Sequence, residues 1–429
     1  MARLRRISAA PGAIAGEIDW LQSTQVVLLV ALVLGLALSI SVSQITLAAL
    51  GGWVLLARRV GRLGPLRTPL LGPLAAFAAW SVVTALASAR PLESLVACKN
   101  LLNLAALLVI VNALSNAALA RRFATWLVLA VAVAAAIGIV QVTMCPGPEA
   151  TAPATALLER FLRKCTRARG VYSIYMTLAG VLALVLTLML PRLARLRAEV
   201  WWLGPVWVVL GVGLALTYVR GAWLGFMAGA AAAVAGLGRR GILAALALVL
   251  LVPTLLMGLP GVRARVKTIG SAGDATTRDR LAMLDAGRRL ALEHPLTGVG
   301  PGQVKHLYPD VATPEALRRS TSHLHNTPLQ IMVERGVIGL AAWLWIFVAF
   351  LVRATALLRR LPAGAGGDRA LVLGALAAVV TFLVGGLFEY NFGDTEVLLV
   401  ALAMMALPFA LGHERAAGGR RMSPPTSST

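Results

Sequence analysis

The residues of this chain best suited to chemistry lie within Thr321-Ser-His-Leu-His-Asn-Thr-Pro-Leu-Gln330. Two histidines, His323 and His325, stand there two residues apart, directly before a long apolar run. Four of the five histidines (His294, His306, His323 and His325) fall in the polar loop Pro260–Asn326, leaving only His413 elsewhere. An imidazole titrates near neutral pH, so it can move a proton or contact an anion under ordinary conditions. His325 is the stronger candidate, because Asn326 ahead of Pro328 is itself a suitable helix cap and relieves the histidine of that duty. Residues two apart in a helix or turn point to different sides, so His323 is expected to lie apart from His325 as a solvated or peripheral contact.

Arginines form the second set. The chain has thirty-six against four lysines, and ten basic residues fall between Pro260 and Asn326, among them Arg280, Arg288, Lys305, Arg318 and Arg319. A guanidinium fork matches phosphate oxygens in pairs, which points to a phosphate-bearing ligand. Arg280 and Arg288 belong to the helical pattern Arg280–His294 and read as sharing one face. Arg220, in Tyr218-Val-Arg-Gly-Ala-Trp-Leu-Gly225, falls between two apolar runs. A charge there is costly to keep and is a functional candidate, with snorkelling to lipid headgroups as the plain alternative. Glu389 and Asp394 are the carboxylates on offer as an alternative base. No Cys/His grouping has zinc spacing and the loop has no Asp-x-Asp pair, so neither metal nor other cofactor is expected. The run Gly298-Val-Gly-Pro-Gly302 permits close backbone approach but lacks the Gly-Lys-Ser/Thr of a nucleotide loop.

The elements that must hold these residues are set by hydropathy. The chain is 59% hydrophobic and 14% charged, and its apolar runs have the length a bilayer core demands of a helix. Twelve spans are read: Thr24–Ser41, Thr46–Ala57, Leu70–Ala87, Leu92–Leu114, Phe123–Met144, Val171–Leu190, Trp201–Val219, Ala222–Leu237, Ile242–Leu259, Leu329–Val352, Leu371–Phe388 and Thr395–Leu411. The fold class is an all-α polytopic membrane protein with one long, partly helical outer loop. Three regions follow: residues 1–259 as an N-terminal bundle, 260–328 as the loop, and 329–429 as three further spans with a disordered tail. The first apolar run is too long for a cleaved signal and is taken as a retained helix.

Short-loop arginines orient the chain. Pairs or triplets such as Arg58/Arg59, Arg121/Arg122, Arg239/Arg240 and Arg359/Arg360 all fall on the side of the two termini, which places that side in the cytoplasm. The net charge of +22 is thereby read as membrane topology and anion contact, and no nucleic-acid partner is expected. The loops Cys145–Gly170 and Pro260–Asn326 are basic against this bias. Cys145 and Cys165 share the first of them and could form a disulfide in an oxidising compartment, or remain two loop thiols. Cys98 falls in a span and reads as a buried apolar thiol.

Four elements in the C-terminal half together resemble the O-antigen ligase and polymerase superfamily of bacterial envelope enzymes. They are Arg220-Gly-Ala-Trp-Leu-Gly; Arg280 opening a helix that runs to His294-Pro-Leu-Thr-Gly-Val-Gly-Pro-Gly302; His325-Asn-Thr-Pro-Leu-Gln followed by Glu334-Arg-Gly-Val-Ile-Gly339; and Phe388-Glu-Tyr-Asn-Phe-Gly-Asp394. Met283 stands where the family often has tryptophan. The resemblance implies a membrane glycosyltransferase fold of the GT-C-like type and an inverting transfer without metal. The implied donor is an undecaprenyl-diphosphate-linked glycan, and in the ligase branch the acceptor is lipid A–core. The reaction would occur at the periplasmic face of the inner membrane, in lipopolysaccharide biosynthesis. In this reading His325, Arg220 and Arg280 are catalytic, with Arg288, His323, Asn326, Glu389 and Asp394 contacting substrate. A polymerase or a protein O-oligosaccharyltransferase would use the same donor. A polysaccharide transporter or flippase is the competing class, but no repeated halves with mid-bilayer polar breaks are found.

Overall fold

The computed structural model describes residues 11–145, 161–162, 165–195, 199–239, 242–243, 246–247, 250, 254, 257–258, 260–267, 275–314 and 316–421. Among these residues all regular structure is helical. In chain order the helices are α1 (Pro11–Leu38), α2 (Ile40–Arg59), α3 (Leu71–Leu86), α4 (Pro91–Ala97), α5 (Ala105–Ala113), α6 (Ala117–Thr143), α7 (Tyr175–Arg195), α8 (Val200–Leu216) and α9 (Arg220–Ala235). The polar stretch then holds α10 (Pro260–Lys267), α11 (Ala275–Glu293) and α12 (Val304–Val311), and the chain returns to the bundle with α13 (Thr327–Arg360), α14 (Gly366–Gly385) and α15 (Thr395–Arg421).

Among the described residues, seven helical segments are long and apolar enough to cross a bilayer, and Leu71–Leu86, Trp201–Leu216 and Thr395–Leu411 are shorter apolar helices. The chain is a polytopic membrane protein. Most of the expected span Ile242–Leu259 and the end of the expected tail, 422–429, fall outside the described residues. The expected span Thr46–Ala57 is longer than its hydropathy suggests, because the hydroxyls of Ser43 and Thr46 bond back to the carbonyls of Ile40 and Val42 and remain within α2. The Leu92–Leu114 span is interrupted by a 3₁₀ segment, Cys98–Leu104. Asn103 in that segment reaches Thr395 Oγ1 at 3.4 Å, so a polar pairing with α15 accompanies the change of winding.

The core is the packing of α7, α9, α14 and α15, whose helices approach closely through small residues. A side chain at Gly229 would strike the Thr381 hydroxyl of α14, and this closeness lets Thr187 and Thr381 share a hydrogen bond at 2.8 Å. At one end of the bundle the arginine loops converge: Arg121 pairs with Asp368, and Arg192 with Glu199. At the other end lie the polar stretch, the 386–394 turn and a Cys145–Cys165 disulfide with Cα atoms 5.3 Å apart.

Helix α13 is not continuous. Gly336 has φ +64 and ψ −173, which breaks the helix there. Three hydrogen bonds to the 295–300 segment replace the helical ones: Val299 N–H to Val333 O (2.8 Å), Gly300 N–H to Glu334 O (2.9 Å) and Val337 N–H to Pro295 O (2.8 Å). The backbone approach permitted by Gly298–Gly302 is thus made to a broken helix. Beneath it Arg335 and Glu334 form a buried pair at 2.6 Å. Glu334 also accepts from Gln330 and from the Gly302 amide, while Arg335 donates to Ser81 Oγ at 2.9 Å. These contacts satisfy both buried charges and fix the loop to the bundle.

Candidate functional site

Asn326 starts the site. Its side chain accepts the Leu329 amide at 2.9 Å and caps α13, with Pro328 in the first turn. Its amide nitrogen donates to Leu387 O at 3.0 Å. Both ends of this side chain are therefore engaged in holding α13 against the 386–394 turn. Thr327 adds a second tie, its amide to Gly386 O at 2.6 Å and its hydroxyl to Glu389 O at 2.8 Å. The two segments carrying the candidate base and the candidate carboxylate are thereby locked together.

The result is a shared carboxylate. Glu389 Oε2 lies 2.7 Å from His325 Nδ1, and its Oε1 pairs with Arg280 of α11. His325 itself is 8% exposed and adopts φ +49, a left-handed conformation that costs energy in a non-glycine residue. The ring lines a cavity of about 680 Å³. A neutral imidazole that donates Nδ1–H to this carboxylate has its lone pair on Nε2, the tautomer a general base requires.

His323 is not where the turn argument puts it. Its ring meets that of His325 edge to face with centroids 4.4 Å apart, and both line the same cavity. The reversed φ at His325 turns that side chain back toward its neighbour, which side-chain spacing alone does not convey. His323 Nδ1 is buried without a hydrogen-bond partner. Burial, and next the adjacent His325, lower its pKa from 6.5 to about 4, so it is neutral across the physiological range.

Arg220 opens α9, after Tyr218 at φ +55. Its neighbours Val219 and Ala222 line the cavity, and the next residue, Gly221, packs directly on Phe388. The guanidinium-bearing helix end is thus held beside the Glu389 turn. Asp394 lines the cavity, accepts from the Thr177 hydroxyl at 2.6 Å and caps α15. Burial holds its carboxyl above the usual range.

Arg288 does not join the group. It is exposed on α11, since eight residues carry it about 12 Å along the helix and about 80° around from Arg280. Residues not selected from sequence do reach the cavity: Arg318, Lys305, Tyr390 and Asn391. Arg318 is held by the buried Asp279, which takes both its amide and its guanidinium at 3.2 Å. The signal for Arg318 was its place in Arg318-Arg319-Ser-Thr-Ser-His323, ahead of the histidines.

Arg318, Lys305 and two histidines line one chamber, and Arg280 is tied to its wall through Glu389, an arrangement suited to an anionic ligand. Comparison with known families bears on which. Residues 205–344 match the family model described as O-antigen ligase. Over those residues the chain is similar to the O-antigen ligase and polymerase superfamily. Comparison with curated proteins gives no match. The O-antigen ligase segment contains Arg220, Arg280, His323, His325 and Arg318 and ends before Glu389. The family region therefore supplies the cations and imidazoles, and the 386–394 turn beyond it supplies the carboxylate that joins His325 to Arg280.

Proposed function

We propose that this protein is an O-antigen ligase. It transfers a glycan from an undecaprenyl-diphosphate carrier to a hydroxyl of lipid A–core at the periplasmic face of the inner membrane. The observation that carries this reading is Glu389 joining His325 and Arg280 at the wall of a cavity beside the O-antigen ligase motifs. His325 Nε2 takes the proton of the acceptor hydroxyl as its oxygen attacks the anomeric carbon, while Glu389 stabilises the imidazolium that forms. The anomeric carbon–oxygen bond to the diphosphate breaks with inversion. Arg280 and Arg220 clamp the departing diphosphate as its charge grows, and Lys305 and Arg318 add positive potential near them. The leaving group carries its own activation, so binding, orientation and charge neutralisation account for the catalysis.

The sidedness of this reading is supported by the arginine-poor short loops on the site face. The disulfide lies on that face too: Ala168 donates to Leu216 O at 2.9 Å, two residues before Tyr218. A disulfide belongs to an oxidising compartment. The test is transfer by purified protein with no nucleotide or ion gradient. Glycan moved from lipid diphosphate to an acceptor by the native chain, and not by His325→Ala, supports the enzyme reading. Glycan-lipid passing across a proteoliposome membrane without covalent transfer would instead establish a transporter.

A further inference from the structure

Helix α11 carries two apolar faces, and protein covers one. Met283, Ala286, Gly287 and Leu290 are buried toward Leu324 and Leu329. On the other side Leu281, Leu284 and Leu292 are 54, 46 and 66% exposed. At 3.6 residues per turn they fall within an arc of about 80°, and Arg288 falls inside the same arc. Arg289 flanks it, paired with Asp285 at 2.7 Å.

The stripe does not end with the helix. Leu296 is 61% exposed, and the bond from Val337 N–H to Pro295 O at 2.8 Å sets it beside Val337 and Ile338. Those two residues are exposed as well, and with Leu344, Trp345, Val348 and Val352 they form the uncovered apolar side of α13. Helix α13 is a membrane span, so that side faces lipid. One apolar surface therefore runs from the lipid-facing side of α13 across Leu296 onto the outer stripe of α11, with arginines at its edge.

We infer that α11 lies in the headgroup layer of the bilayer, with Leu281, Leu284 and Leu292 at the acyl boundary and Arg288 at lipid phosphates. Continuity with the lipid-facing surface selects lipid over a partner protein. Arginine suits the position because its stem lies along apolar surface while its head reaches phosphate. The inner face of the same helix presents Arg280 to Glu389, so the helix holds the catalytic group at the depth of the bilayer surface. A lipid-borne diphosphate resides at that depth. Arg288 then contacts headgroups of the membrane rather than the reacting substrate.

The test places nitroxide labels at Leu284→Cys and Leu292→Cys in a Cys98→Ser background. Each protein is reconstituted into phosphatidylcholine vesicles, with or without phosphatidylglycerol. Collision with oxygen, which partitions into lipid, is compared with collision with a water-soluble nickel chelate. Val337→Cys serves as the lipid reference and Arg319→Cys as the water reference. Both α11 labels are expected to favour oxygen as Val337→Cys does. Adding Arg288→Gln with Arg289→Gln is expected to move them toward the water reference, more so with phosphatidylglycerol present. Nickel-favoured collision, matching Arg319→Cys, would overturn the inference. Suppression of both collisions would overturn it too, by showing that a second copy or another protein covers the stripe.

Discussion

Glu389→Gln is the sharpest perturbation of the site because it keeps the size of the side chain and removes its charge. In the native site Oε2 accepts from His325 Nδ1 at 2.7 Å while Oε1 takes Arg280. The amide has one acceptor and one donor end. With its oxygen turned to Arg280, its NH₂ faces His325 and selects the tautomer with the lone pair on Nδ1, leaving Nε2 protonated and unable to act as base. With its oxygen turned to His325, it loses Arg280. Either way one charge-assisted contact is lost, at about 1.5–3 kcal/mol. If that contact acts in the transition state, the rate falls about 10- to 150-fold. The two contacts share one carboxylate, so their losses do not simply add, and tenfold is the floor. The assay is single-turnover transfer from lipid-linked glycan to lipid A–core, with KM separated from kcat. The loss is expected in kcat. Near-native kcat in Glu389→Gln, at equal protein in the membrane, would refute the shared-carboxylate account and leave Asp394 as the carboxylate to examine.

Arg220→Lys and Arg280→Lys should each lose about 10- to 150-fold in kcat/KM although the charge is kept, because an ammonium cannot make the paired phosphate contact; native kinetics in both would remove the clamp. His325→Ala should abolish transfer, and His323→Ala should reduce it less, although the two rings touch; the reverse order in the same assay would exchange their roles. His323 also makes a stability prediction. Its folded pKa of about 4 lies below the ordinary 6.5, so as pH falls through 6.5 the unfolded chain takes up a proton that the folded chain refuses. Stability present above pH 6.5 should therefore decline by about 3 kcal/mol as pH approaches 4, and His323→Gln should flatten the decline in apparent Tm. Leu317→Cys, 54% exposed in the polar stretch, should react with an impermeant thiol reagent in spheroplasts; labelling only after lysis would reverse the orientation.

Much of the architecture is readable from hydropathy because a bilayer imposes a minimum apolar length on each span. Asn326 as the cap of α13 is equally local, since cap, first turn and Pro328 are consecutive residues. The features not legible in sequence arise from contacts between distant segments. The break at Gly336 depends on amides of Val299 and Gly300 taking the carbonyls of Val333 and Glu334. The 3₁₀ segment in the fourth span is accompanied by a contact to Thr395, 292 positions beyond Asn103. Pairing of His323 with His325 rests on one left-handed residue, and histidine gives little notice of that conformation. Assigning Arg288 to the face of Arg280 failed for a simpler reason: eight residues exceed two turns by about 80°. Glu389 was visible as a carboxylate near the end of a span, but its place between Arg280 and His325 required the fold.

The central claim is that one chamber delivers a lipid-diphosphate glycan to lipid A–core. Its most direct test is a reconstituted transfer in which purified protein meets labelled lipid-linked glycan and, in separate vessels, lipid A–core or a second lipid-linked repeat unit. Glycan appearing on lipid A–core, with none added to the lipid-linked unit, is the predicted result. Extension of the lipid-linked unit, with lipid A–core left unmodified, would contradict the ligase assignment and make the protein a polymerase.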